Sequence, residues 1–177
     1  MAHKEHALSQ PLCRLLWACL ITFLVIAIDQ ASKAWILYDI MNPPTVLPLL
    51  PFLDIILTWN PGVGFGLFKA HSLGGVIALT VLALTISISL GTWLWRTTDK
   101  FLLVCLSLII GGAIGNIIDR LRFGAVLDFI YVHLYIFGYH FPAFNVADSA
   151  ISVGAVLLLL ESYMRNKNDS AHSSNKY

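Results

Sequence analysis

Four long apolar runs constrain the fold of this chain more than any other feature. They lie at about 15–38, 73–95, 101–121 and 143–161. A helix needs about 20 mainly apolar residues to cross the hydrocarbon core of a bilayer. The composition agrees, since 58% of residues are hydrophobic and only 12% are charged, about half the charged share of a soluble domain. We therefore expect a single-domain, all-α polytopic membrane protein with four transmembrane helices.

The first apolar run contains two charged residues. Asp29 and Lys33 are four residues apart, so they share one face of a helix and can form an ion pair. A self-neutralising pair or a lysine that reaches toward the interface explains them as well as a functional role does. The apolar run continues well past Cys19, whereas a signal-peptide cleavage box stands at the end of such a run. We expect an uncleaved first span.

The basic residues predict the orientation in the membrane. With the N-terminus in the cytoplasm, seven Lys and Arg residues lie inside and four lie at or beyond the outer face, as the positive-inside rule requires. Residues 1–14 and 162–177 are then cytoplasmic tails, and segments 39–72 and 122–142 face outward. The net charge of +1 gives no support for a nucleic-acid partner.

The outward segments differ from the spans in their turn and strand signals. Four prolines in 39–51 exclude a continuous helix there. Residues 55–59 predict a short strand, 60–62 a turn and 63–68 a second strand, in which Gly64 permits close backbone approach. We expect a small extracytoplasmic β-cradle from this segment. The segment 122–142 is too short to span, so we expect it to return along the surface as a loop or strand. The expected fold therefore has a surface helix or loop in addition to the β-cradle.

The end of the third run combines small and polar residues. Gly111, Gly112 and Gly115 have the spacing that lets membrane helices approach closely, and packing alone is a sufficient reason for them. Asn116 and Arg120 share a face at i and i+4. They are expected to point into the protein, because lipid cannot satisfy their hydrogen bonds.

Two carboxylates near the outer ends of the spans form the candidate catalytic pair. Asp128 lies in the returning segment and Asp148 near the start of the fourth run. Two adjacent carboxylates do not ionise together at low cost, so one retains a proton and the other can activate water. Such a pair hydrolyses a peptide bond without a metal or a nucleophilic serine.

Other interpretations of these carboxylates stay open on spacing alone. Asp128 is also suited to cap a turn, and Asp148 to serve as a structural residue. Together they also suit a proton relay in a small proton-coupled transporter, although the sequence has no internal repeat of the kind that transporters often show. A metal site at Asp128 with His133 and His140 is disfavoured because no metal-binding spacing is present. The three cysteines also lack motif spacing.

Five short motifs in a fixed order carry a resemblance to a known family. They are Asp29-Gln30-Ala31-Ser32-Lys33, the stretch TWNPGVGFG at 58–66, GNIIDR at 115–120, Val126-Leu127-Asp128-Phe129 and FNVADS at 144–149. The chain resembles the lipoprotein signal peptidases (signal peptidase II), aspartyl peptidases of the bacterial cytoplasmic membrane. The motifs extend across about 30–155.

The resemblance implies a fold, a reaction and a set of site residues. It implies four helices with an extracytoplasmic β-cradle, and cleavage of diacylglyceryl-modified prolipoproteins just before the lipidated cysteine, near the outer face of the inner membrane. It identifies Asp128 and Asp148 as catalytic. Residues on motif positions that support the site or contact substrate are Asp29, Lys33, Asn60, Gly64, Asn116, Asp119, Arg120 and Asn145. We expect contact with membrane lipid, no metal or other cofactor, a monomer, and outer segments that cover the cut bond.

Overall fold

Four long helices dominate the computed structural model, which describes residues 2–62, 73–133, 135–136 and 139–174. The helices are α1 (Ala2–Trp35), α2 (Leu73–Arg96), α3 (Lys100–Phe123) and α4 (Val146–Ser174). Their apolar parts are long enough to cross a membrane over Leu12–Ile40, Leu73–Arg96, Lys100–Phe123 and Val146–Arg165. The prediction of a helical, multi-pass membrane protein is confirmed.

Helix α3 is the centre of the bundle. Its most apolar window is 56% buried, against 11% for each of the other three spans, so those three present most of their surface to lipid. Gly112 of α3 contacts α4 so closely that a Cβ there would overlap the Ala147 carbonyl oxygen. A Cβ at Gly115 would lie 2.6 Å from Asp29 Oδ2 of α1. The predicted close packing at these glycines is confirmed.

A three-stranded antiparallel sheet covers one end of the bundle. It consists of β1 (Leu47–Leu50), β2 (Leu53–Asn60) and β3 (Val126–Val132), in the order β1-β2-β3. The strand predicted over 55–59 is thus confirmed within β2. The register pairs Thr58 with Asp128, after an irregularity between Ile55 and Thr58. The second strand predicted over 63–68, together with Gly64, lies outside the described residues.

After the last residues of α3, the described part of the returning segment forms mainly strands, one of the two forms (loop or strand) predicted for it. After β3, two short strands, β4 (Tyr135–Ile136) and β5 (Tyr139–His140), pair with each other in antiparallel fashion. The backbone groups of this stretch therefore pair across strands.

A small apolar core joins the sheet to the helices. Ile36 and Met41 follow α1 in and after a π-helical turn (Ile36–Ile40), and they pack with Leu127 and Phe129 of β3. All four side chains are at most 5% exposed. Because this core fixes β3 against the end of α1, it also fixes the position of Asp128.

Three helix boundaries differ from those expected. Helix α1 already begins at Ala2, inside the segment 1–14 that was expected to be a tail. Helix α4 begins at Val146, about three residues late, because Phe144 exchanges main-chain hydrogen bonds of 3.0 and 2.9 Å with Ile130 of β3. It then continues to Ser174, into the expected tail. An ion pair of 3.2 Å between Glu161 and Arg165 supports that extension, which contains no Gly or Pro.

Candidate active site

The two candidate catalytic carboxylates meet at the end of the bundle that the sheet covers. Asp128 projects from β3 and is 1% exposed, while Asp148 lies in the first turn of α4. The chain reverses between α3 and β3 at Gly124, whose φ of 73° is left-handed, a conformation that glycine adopts without steric cost. This reversal brings Asp128 back beside the end of α3.

Asn145 connects the two carboxylates. Its side-chain Nδ2 donates to Asp128 Oδ1 at 2.7 Å, and its main-chain N–H donates to Asp148 Oδ2 at 3.2 Å. In return, the Asp148 main-chain N–H donates to Asn145 Oδ1 at 2.9 Å. This reciprocal pattern is a capping box, in which a helix-capping residue and the third residue of the helix satisfy each other. One asparagine therefore starts α4 and fixes both carboxylates.

Two further asparagines complete the hydrogen bonds of the pair. Asn60, the last residue of β2, donates from Nδ2 to Asp128 Oδ2 at 2.9 Å. Asn116 of α3 donates from Nδ2 to Asp148 Oδ1 at 2.8 Å. Each carboxylate thus accepts two hydrogen bonds from neutral groups, which fix its orientation without neutralising its charge.

Burial raises the pKa of Asp128 to about 7. Removal of the carboxylate from water is the main cause. The negative charge of Asp148 adds to it, while the hydrogen bonds from Asn60 and Asn145 oppose it. Near neutral pH the Asp128 carboxyl therefore retains a proton for much of the time.

A buried ion-pair cluster lies beside the carboxylate pair. Lys33 Nζ is 2.8 Å from both Asp29 Oδ2 and Asp119 Oδ2, and it donates to Asn116 Oδ1 at 3.2 Å. Asp29, Lys33 and Asp119 are 0%, 4% and 1% exposed, respectively. Asp29 and Lys33 do form the predicted i,i+4 pair. However, Lys33 is buried among α1 and α3 instead of extending toward the interface.

Each carboxylate of this cluster holds the backbone immediately before one member of the candidate catalytic pair. Asp29 Oδ1 accepts a hydrogen bond of 2.9 Å from the main-chain N–H of Ala147, which precedes Asp148. Asp119 Oδ2 accepts one of 3.1 Å from the main-chain N–H of Leu127, which precedes Asp128. The cluster therefore positions the two catalytic candidates relative to each other.

Gln30 belongs to the same cluster, although it was not among the predicted site residues. Its Nε2 lies 2.9 Å from Asp119 Oδ1 and 3.1 Å from Asp29 Oδ2, so it connects the two carboxylates that share Lys33. The sequence signal that could have identified Gln30 is its place within the first motif, between Asp29 and Lys33.

Arg120 lies half-buried next to the pair. Its Nη1 donates to the Asn116 carbonyl oxygen at 3.4 Å, and its buried Nε has no acceptor among the described residues. Its positive charge interacts with the carboxylates of Asp148, Asp128 and Asp119. Arg120 thus supplies a cation and a free N–H donor at the site.

The described part of the structure brings all predicted site residues into one connected region, except Gly64, which lies outside the described residues. Their roles in catalysis stay predictions. His133, the disfavoured metal ligand, lies 2.8 Å from Asp54 on the sheet. Among the described side chains, no group of three His, Cys, Asp or Glu residues is arranged to hold a metal ion.

Comparison with known proteins decides the family. The model of a family described as signal peptidase (SPase) II matches residues 21–164. The chain belongs to the signal peptidase II family. It is 42% identical over 142 residues to a lipoprotein signal peptidase of Rhodopseudomonas palustris strain TIE-1, covering 78% of this chain and 87% of that protein. The corresponding protein of Beijerinckia indica is 43% identical over 146 residues, covering 81% and 86%.

Solved structures agree with the family assignment. A bacterial membrane enzyme structure obtained by the in meso method at 2.3 Å superposes with a TM-score of 0.74 at 31% identity, covering 85% of this chain and 90% of that one. As a member of the signal peptidase II family, the chain is an aspartic endopeptidase that removes signal peptides from prolipoproteins. Nothing in these comparisons favours the proton-coupled transporter.

Proposed function

We propose that Asp128 and Asp148 together hydrolyse the peptide bond just before the diacylglyceryl-modified cysteine of a prolipoprotein. The observation that carries this proposal is the bridge made by Asn145, which donates to one carboxylate from its side chain and to the other from its main chain. The two carboxylates are thereby held next to each other and in different environments, which is the condition for an acid and a base to work as a pair.

The different environments assign the two roles. Asp148, at the N-terminus of α4, is the ionised base, and Asp128, with its pKa raised to about 7, is the acid. The site contains four carboxylates but only the two cations of Lys33 and Arg120 among its described residues. Ionisation of Asp128 would therefore add a further uncompensated negative charge, so the proton belongs on Asp128.

The reaction then proceeds with the proton count balanced. Asp148 takes a proton from water, and the water oxygen bonds to the scissile carbonyl carbon while Asp128 gives its proton to the carbonyl oxygen. The C–N bond of the resulting gem-diol breaks as Asp148 returns a proton to the leaving amine. Asp128 regains its proton from a diol hydroxyl, so both residues end in their starting states.

Arg120 is suited to bind the substrate backbone beside the scissile bond. Its buried Nε needs an acceptor, and a buried donor without one costs about 1–3 kcal/mol. A peptide carbonyl oxygen next to the cut bond satisfies this donor when substrate binds. The free energy gained there helps to position the substrate against Asp128 and Asp148.

Orientation and assembly follow from the charge distribution and the origin of the site residues. We infer that both termini are cytoplasmic and that the active site faces the outer side of the bacterial inner membrane, where water reaches it and the substrate's lipid remains in the bilayer. The described hydrogen bonds of the site close within one chain, so the proposed reaction needs no second copy, and we propose that the protein works as a monomer. A C-terminal alkaline phosphatase fusion that is active in cells would contradict this orientation, because that reporter folds only outside the cytoplasm.

The test of the catalytic pair is cleavage of a diacylglyceryl prolipoprotein by the purified protein. Asp128→Asn and Asp148→Asn should each lower single-turnover cleavage at least a thousandfold, because each removes a proton donor or acceptor. Asp39→Asn makes the same chemical change at an exposed carboxylate near the same end of the bundle and should cleave normally. Full cleavage by either active-site variant would refute the assignment. Equal cleavage of a substrate without diacylglycerol would refute the proposed substrate class.

A further inference from the structure

Two apolar grooves meet at Arg14, at the end of the bundle opposite the active site. The first, of about 370 Å³, lies between α1 and the start of α3, and its walls include Trp17, Ile21 and Val104. Arg14 and Lys100 are part of the same lining. The second, of about 270 Å³, lies between α1 and the end of α2. Arg14 lines both grooves.

The position of these cations corresponds to a membrane interface. Arg14 lies 15 residues before Asp29 in α1, and Lys100 lies 16 residues before Asn116 in α3. At 1.5 Å per helical residue these separations are roughly 22–24 Å. The hydrocarbon core is about 30 Å thick. With the active site at one membrane surface, Arg14 and Lys100 therefore lie near the headgroups of the other leaflet.

Both cations keep hydrogen-bonding capacity for a ligand. Arg14 donates to the Thr97 carbonyl oxygen at 3.2 Å, and Lys100 is exposed. Among the side chains that the structure describes, no carboxylate lies within ion-pair distance of either one. The nearby Asp99 is engaged by Arg165 at 3.2 Å and does not line either groove.

We propose that Arg14 and Lys100 bind the phosphate of an anionic phospholipid, with an acyl chain in the groove beside Trp17. A guanidinium and an ammonium together suit a phosphate group, and the apolar walls suit the chain. An anionic lipid is favoured over a zwitterionic one because the described lining contains two positive charges and no carboxylate to receive a choline or ethanolamine cation. The occupant is a lipid of the leaflet, not free phosphate, because the grooves on either side of Arg14 are mainly apolar.

The proposal is tested by native mass spectrometry of the full-length protein released from detergent. The protein is titrated with phosphatidylglycerol or phosphatidylcholine of the same chain length. We expect one phosphatidylglycerol to be retained at least tenfold more tightly than phosphatidylcholine. Arg14→Gln and Lys100→Gln should each weaken phosphatidylglycerol retention about tenfold, the usual effect of losing one charged hydrogen bond. Arg14→Lys should retain most of the binding, since it keeps the charge.

The matched control is Arg96→Gln, which removes a positive charge from the same end of the bundle but from a residue that lines neither groove. It should change retention less than twofold. Equal retention of the two lipids, or equal weakening by Arg96→Gln and Lys100→Gln, would overturn the proposal. Displacement of the lipid by millimolar glycerol phosphate would also overturn it, because it would show that the grooves contribute nothing. Lys100→Gln changes an exposed side chain, so its result does not depend on whether Arg14→Gln folds.

Discussion

The hydrogen bond from Asn60 to Asp128 offers a quantitative test of how this active site sets its working pH. Asn60 Nδ2 lies 2.9 Å from Asp128 Oδ2 and stabilises the ionised form of that carboxyl, while burial raises its pKa to about 7. Because the proposed reaction needs the proton on Asp128, kcat/KM should be constant just below this pKa and fall tenfold per pH unit above it. This falling, alkaline limb of the kcat/KM profile reports the pKa of a group in the free enzyme.

Substituting Asn60→Leu removes the donor and keeps the approximate shape of the side chain. A hydrogen bond to a charged group contributes about 1.5–3 kcal/mol, and one pKa unit corresponds to about 1.4 kcal/mol. Loss of the donor destabilises the anion, so the pKa of Asp128 rises. The alkaline limb should move upward by about one to two pH units.

The assay is single-turnover cleavage of a fluorescent diacylglyceryl prolipopeptide in detergent between pH 5.5 and 9.5. Asn60 Oδ1 also accepts the main-chain N–H of Gly62 at 3.1 Å, so Asn60→Asp is the second variant, since it keeps this acceptor. It should also move the limb upward. Ser149→Ala, which removes only a hydroxyl bonded to the Asn145 carbonyl oxygen, should leave the limb in place. A limb that stays near 7 or moves down in both Asn60 variants would refute the assignment of the proton to Asp128.

Three further predictions concern the scaffold and the chemistry. Lys33→Met leaves two buried carboxylates without their cation and should destabilise the protein by about 3–5 kcal/mol; an unchanged thermal unfolding midpoint in detergent would contradict this. Gly112→Ala adds a methyl group against the α4 backbone and should lower both stability, by about 1–3 kcal/mol, and cleavage, whereas Gly91→Ala, with open space around it, should affect neither. Cleavage should survive EDTA, since the proposed acid and base are both carboxylates; loss of activity with recovery on adding zinc would favour a metal site instead.

The membrane architecture could be predicted from the sequence because hydrophobic length alone determines it. A run such as 73–95 has no other stable location than a bilayer or a large core. The strand around Ile55 was also predictable, since a β-branched apolar stretch is bounded there by prolines and a turn. The start of α4 was predicted about three residues early. The local signal was Asn145 with Asp148 three residues later, which form a capping box, whereas the pairing of Phe144 with Ile130 is a tertiary contact that spacing does not encode.

The residues of the site could be predicted, but the hydrogen bonds and ion pairs between them could not. Intramembrane polar residues stand out individually against an apolar background, and five ordered motifs indicated the family. Spacing along the chain did not show that Lys33 has two carboxylate partners, or that Gln30 joins them. These contacts cross from α1 to α3 over more than 80 residues of sequence, so only the packing of the two helices reveals them.

The packing of Gly115, Asp29 and Ala147 gives a reason for the buried charge of Asp29, although its burial is unfavourable for desolvation. A helix begins with main-chain N–H groups that have no partner within the helix, and in α4 one of these, on Ala147, donates to Asp29. Asp29 reaches it only because Gly115 has no side chain: a Cβ would lie 2.6 Å from Asp29 Oδ2. Replacing the ion pairs by apolar side chains often preserves or increases stability, but it would leave the backbone before Asp148 without its acceptor. The buried cluster is therefore explained by the position of Asp148, the proposed base, more than by the stability of the fold.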